Sequence, residues 1–114
     1  MLFIIEDEPD IRDSIREILE SEGYEVHAAN NGLEAQTSLR LLPTPDLILL
    51  DALMPKMNGK EFRDWQLTQP RLSHVPVIVL SATAFSKPMD GEVSHLQKPV
   101  DLNELLGAVK AAIA

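Results

Sequence analysis

Residues 47–51 read Leu47-Ile48-Leu49-Leu50-Asp51, four branched apolar side chains in a row ended by a carboxylate. A strand with one wet face alternates apolar and polar residues. A continuous run belongs to a strand covered on both faces, as in a parallel sheet with helices above and below. Two similar runs flank it, Leu2-Phe3-Ile4-Ile5 before and Val77-Ile78-Val79-Leu80 after. Tyr24-Glu25-Val26-His27-Ala28 and the stretch from Val93 to Gln97 are weaker runs, which suits edge strands.

Helical signals fill the gaps. Ile11, Ile15, Ile18 and Leu19 form a stripe at helical spacing, with Arg12, Asp13, Arg16, Glu17 and Glu20 expected to face away. Pro9 suits the first turn of that helix and Gly23 its stop. Three capping boxes, Asn31…Glu34, Asn58…Glu61 and Asp101…Glu104, each open a further apolar stripe. Pro43-Thr44-Pro45 ends the second helix before the third strand. The pattern is a strand and a helix repeated five times, which predicts an α/β fold with a doubly wound parallel sheet and right-handed crossovers. The last crossover, Ala82 to Ser94, carries Pro88 and Gly91 and no clear apolar stripe. The fourth helix is therefore expected to be shortened or missing.

The chain has 114 residues, 45% of them apolar, which is the size of one domain, so residues 1–114 are read as a single unit. Eighteen acids against ten bases give a net charge of −8, which argues against direct nucleic-acid binding and against anionic membranes. With no Cys there is no disulfide framework and no thiolate metal site. No apolar run approaches a membrane span, and a cytoplasmic location is expected. Nine of the acids fall in the first 25 residues.

In an open α/β sheet, ligands bind beyond the carboxyl ends of the strands. The first polar residues after each run are Glu6-Asp7-Glu8, Asp51, Ser81 and Gln97-Lys98-Pro99. The fold would bring several carboxylates, a hydroxyl and an ammonium to one edge. An isolated Asp after a strand is ordinarily a turn residue or a helix cap, and an isolated Ser or Lys an ordinary surface group. Four such groups at four strand ends are harder to dismiss. Crowded carboxylates resist ionising together unless a cation joins them. Oxygen ligands with no His or Cys beside them suit Mg²⁺. With Mg²⁺ and Lys98 present the edge becomes a phosphate receptor, and Asp51, alone at the end of the central strand, is the natural nucleophile for an acyl phosphate.

The sequence resembles the receiver (CheY-like) domains of two-component response regulators along essentially its whole length. The resemblance rests on Ile4-Ile5-Glu6-Asp7-Glu8-Pro9-Asp10, Asn30-Asn31-Gly32-Leu33-Glu34-Ala35, Pro45 through Asp51 with Met54-Pro55 and Asn58-Gly59, Val75 through Ala82, and Lys98-Pro99. It implies a flavodoxin-like sheet of order 2-1-3-4-5 and no enzymatic activity beyond assisting its own phosphorylation and dephosphorylation. It further implies that Asp51 accepts a phosphoryl group from a phosphohistidine on a sensor histidine kinase or phosphotransfer protein. Asp7 would bind Mg²⁺ directly, Glu6 through water, and the backbone carbonyl of Leu53 would complete the protein ligands. Ser81 and Lys98 would contact the phosphoryl oxygens, with Ser81 and His95 as the switch pair. His95 stands where the family carries Tyr or Phe.

Signalling would pass by contact to a downstream protein, and no output domain is expected. The family normally has a full fourth helix. Its loss would expose sheet surface around Ile78, Leu80 and Leu96, an expected site for a homodimer or a non-standard partner. Two other functions compete. A receiver-like interaction module without phosphorylation is favoured by the short crossover and disfavoured by the intact Glu6, Asp7, Asp51, Ser81 and Lys98 set. A flavin- or nucleotide-binding enzyme would need a glycine-rich loop after the first strand, and residues 6–14 contain no glycine.

Overall fold

In the computed structural model, which describes residues 1–52, 57–81, 94–98 and 100–113, the apolar runs are β1 (Leu2–Ile5), β3 (Leu47–Asp51) and β4 (Val77–Ser81). The weaker runs are β2 (Val26–Ala29) and β5 (Ser94–Gln97), at the two edges. All pairings are parallel and the order is β2-β1-β3-β4-β5, as expected. The side chains of β1, β3 and β4 are all buried, which is why those runs could be continuously apolar. Leu53, the connection 82–93 and Pro99 lie outside the described residues. So do the expectations that fall on them, a backbone metal ligand at Leu53 and a shortened fourth helix.

Four helices are described: α1 (Pro9–Ser21), α2 (Gly32–Leu41), α3 (Gly59–Leu67) and α4 (Leu102–Ile113). Pro9 begins α1, and Gly23 at φ +93° turns the chain beyond its end in the left-handed region that glycine tolerates. The expected caps form at α2, α3 and α4: Asn31, Asn58 and Asp101 accept hydrogen bonds from the amides of Glu34, Glu61 and Glu104 at 2.9, 2.8 and 3.0 Å. At α3 the box closes in both directions. At α2 the Glu34 side chain instead accepts from the Asn30 amide at 3.2 Å.

The sheet separates two cores. One joins Phe3, Ile5, Ile48, Leu50, Val77 and Val79 to α2 and α3 through Ala35, Leu39 and Phe62. The other joins Leu2, Ile4, Leu47, Leu49, Ile78, Leu80 and Leu96 to α1 and α4 through Ile15, Leu19, Leu105 and Val109. This corrects the expectation of exposed sheet around Ile78, Leu80 and Leu96. Successive side chains point to opposite faces of a strand, and these three fall on the face that α1 and α4 cover.

Candidate functional site

Parallel register decides what meets at the carboxyl edge. Ile5 is paired with Leu50, so Glu6 and Asp51 leave adjacent strands side by side. Asp51 is opposite Leu80, and Ser81 is opposite Gln97, so the hydroxyl and Lys98 follow in step. The Lys98 amide donates to the Ser81 carbonyl at 2.7 Å, which fixes the chain at the base of the lysine side chain. From there the ammonium reaches across β4. It lies 3.0 Å from both Glu6 oxygens and 3.3 Å from Asp51 Oδ1.

Glu6, Asp51 and Ser81 are buried, and Asp7 is half-buried. Carboxylate oxygens of Glu6, Asp7 and Asp51 lie within 4.8 Å of one another, a spacing that could hold a metal ion. The Glu6 carboxylate has no exposed surface. Its Oε1 accepts from Lys98 and, at 3.3 Å, from the Glu8 amide. Its Oε2, although close to the ammonium, has no hydrogen bond. A buried anionic oxygen left in that state is costly and has its lone pairs to offer a cation. Burial pushes Lys98 toward its neutral form, but the hydrogen bond to Glu6 and the charge of Asp51 outweigh this and raise its pKa above the ordinary lysine value.

The structure thus brings together Glu6, Asp7, Asp51, Ser81 and Lys98. His95, in register with Val79 on the edge strand, is half-buried. Two supports were missed by sequence reasoning. Arg12 does not face away: its Nη1 donates to the Glu6 carbonyl at 3.2 Å and to Asn30 Oδ1, and Asn30 Nδ2 donates to Glu34 Oε2 at 3.1 Å. The end of β1 is thereby tied to the start of α2. Met57 is the second support, seated on Gly32 and Gln36 of α2. A long arginine one turn into a helix that starts beside a carboxylate cluster was the available signal for the first. A cleft of about 300 Å³ beside the site is lined by Ile11, Ile15, Lys98, Val100, Leu102 and Leu105. No helix among the described residues is long and apolar enough to cross a membrane.

The sheet order, the acidic trio and the lysine are the features of a signalling receiver. The chain belongs to the response regulator receiver domain family, whose model matches residues 2–110. It is 30% identical to the polar-differentiation response regulator DivK of Brucella anthropi, covering 96% of this chain and 93% of that protein. It is 34% identical to the DNA-binding dual master transcriptional regulator RpaA of Synechocystis, covering 98% of this chain and 48% of that protein. Among solved structures it resembles the signal receiver domain of a signal transduction histidine kinase from Syntrophus aciditrophicus. That match has a TM-score of 0.86 and 36% identity, and covers 98% of this chain and 88% of that one. The chain spans about half the length of several curated relatives it matches. Receiver domains are signalling modules that generally bind Mg²⁺ and meet histidine kinases or phosphotransfer proteins.

Proposed function

We propose that this chain is a phosphoacceptor receiver of a two-component phosphorelay that works in the cytoplasm and signals by protein contact. An Asp51 carboxylate oxygen attacks the phosphorus of a phosphohistidine on a sensor kinase or phosphotransfer protein. The new O–P bond forms as the P–N bond breaks, and the imidazole departs with the electron pair and takes up a proton. Lys98, already 3.3 Å from Asp51, offsets the charge beside the nucleophile and pairs with the transferred oxygens. Ser81 supplies a hydroxyl to the same group, and its repositioning together with His95 biases two preexisting states. Glu6, Asp7 and Asp51, with the carbonyl of Leu53, would hold Mg²⁺, which neutralises charge on the phosphoryl group when bound.

The observation that carries this reading is the shared ammonium. Two buried carboxylates from adjacent strands converge on Lys98, and a third carboxylate stands within metal-binding distance. Incubation with Mg²⁺ and a small acyl phosphate should add one phosphoryl mass, and Asp51→Asn or chelation of the metal should abolish the gain. A protein that takes up no phosphoryl group, or whose uptake survives Asp51→Asn, is not a receiver of this kind.

A further inference from the structure

Gly32 opens α2 with no positive φ, so the backbone does not require glycine there. Alanine would be the better helix former. What excludes a side chain is Met57. A Cβ at position 32 would lie 2.7 Å from Met57 Sδ and 2.8 Å from both its Cβ and its Cγ, closer than real side chains approach. The sulfur could swing aside, since methionine is flexible. The Met57 Cβ cannot, because it moves only with the backbone. Any group larger than hydrogen at position 32 therefore shifts the chain at Met57.

Met57 is where the loop leaving Asp51 returns to described structure, one residue before the Asn58 cap of α3. Its thioether accepts a hydrogen bond from Gln36 Nε2 at 3.4 Å, and the side chain packs against the core that contains Phe3, Ile5 and Leu50. The two ends of the loop are joined by the Gly59 amide donating to the Ala52 carbonyl at 3.1 Å, and the Ala52 amide donates to Leu80 at 2.9 Å. Asp51, the last residue of β3, is thus followed by Ala52, which is pinned to β4 through Leu80 and to the start of α3 through Gly59, two residues beyond the Met57 seated on α2.

We infer that Gly32 and Met57 form a positioning pair for the cation site. The first turn of α2 receives Met57, which through the neighbouring Gly59–Ala52 hydrogen bond holds the residue that follows Asp51, and so sets divalent-cation affinity although neither residue belongs to the acidic trio. The inference rests on the proposal that Glu6, Asp7 and Asp51 hold Mg²⁺. Supports of this kind, outside the ligands themselves, are typically worth about 10- to 100-fold in metal affinity.

The test is calorimetric titration of the metal-free chain with MgCl₂, paired with thermal melts in EDTA, for wild type, Asp7→Asn, Gly32→Ala, Met57→Ala and Met57→Leu. Gly32→Ala and Met57→Ala should each weaken Mg²⁺ binding about tenfold. Met57→Leu, which keeps the volume in the seat, should stay close to wild type. If Gly32→Ala does not fold, Met57→Ala decides. Wild-type Mg²⁺ affinity in Met57→Ala, with only its melt shifted, would show a packing contact alone and overturn the inference while leaving the site intact. A wild-type chain that binds no Mg²⁺, or an Asp7→Asn variant that binds equally well, would instead overturn the assignment of the cluster and the inference with it.

Discussion

Gln66 on α3 and Glu6 at the strand ends are equally buried, with no exposed surface on either. Their surroundings differ. Gln66 Nε2 donates to the carbonyls of Leu72 and Val75 at 2.9 and 3.1 Å, and its Oε1 accepts from Arg63 at 2.7 Å. Each polar atom is used, and the network ties α3 to the segment that leads into β4. Glu6 shares one ammonium with Asp51, has Asp7 beside it, and keeps one oxygen without a hydrogen bond. A closed network rigidifies a fold, whereas a partly satisfied one is costly unless something completes it. Burial alone therefore does not mark a functional residue; what marks it is burial together with unspent hydrogen-bonding capacity and excess charge of one sign.

Lys98→Met should have the largest effect on the contrast. Without the ammonium, Glu6 and Asp51 lose the cation they share, and the metal-free protein should lose about 3 kcal/mol. Thermal melts in EDTA would show the loss. Mg²⁺ should bind this variant more tightly than wild type, having no ammonium to displace, and should recover much of the stability by mass action. The pH dependence supplies a second measurement. A raised lysine pKa means that the ion pairs contribute fully below the unfolded value of 10.5 and lose that contribution as pH climbs through the folded value. Wild type should therefore weaken above that pH more steeply than Lys98→Met. If the variant melts like wild type in EDTA, the lysine is not the internal counter-ion described here.

Gln66→Leu sharpens the other side. It takes a donor from the Val75 carbonyl and from the Leu72 carbonyl, which keeps the Val75 amide, and removes one Arg63 partner, so it should cost about 2 kcal/mol while leaving the Mg²⁺ titration curve where it was. A shifted metal affinity in this variant would mean that the α3 network is coupled to the site and that the two regions are not independent.

The difference between the regions also explains what could be read from residue order. β1, β3 and β4 were legible because a strand buried on both faces is apolar without interruption. Glu6, Asp7, Asp51, Ser81 and Lys98 were legible because a parallel sheet delivers whatever follows each run to one edge. The same continuity hid the facing of Ile78, Leu80 and Leu96, since a run with no alternation does not say which face each side chain takes. Arg63 and Gln66 carried no signal at all. They sit on a helix whose apolar stripe, Phe62 and Trp65, is too short to define the buried face, and Gln66 bonds carbonyls of the following segment while Arg63 bonds Gln66. Arg12 was hidden for a related reason: its partners, the Glu6 carbonyl and Asn30, lie on other segments that only the fold brings to it.

Glu6→Gln is the smallest of these changes and the most discriminating. The substitution keeps the size of the side chain and removes only its charge. If Glu6 is mainly the anchor of Lys98, the metal-free melt should fall while Mg²⁺ affinity rises, because the ammonium is then held less firmly over the site. If Glu6 contributes its negative charge to the cation, as an Oε2 left without a hydrogen bond indicates, affinity should fall about tenfold, some 1.4 kcal/mol by the usual conversion. The melt should change little, since Lys98 retains Asp51 at 3.3 Å. We expect the second pattern. A buried oxygen already 3.0 Å from an ammonium, yet without hydrogen-bond geometry, gains more from a cation that needs no directed proton than from the lysine beside it. Calorimetry in the same buffer as the melts separates the two outcomes, because they move affinity in opposite directions.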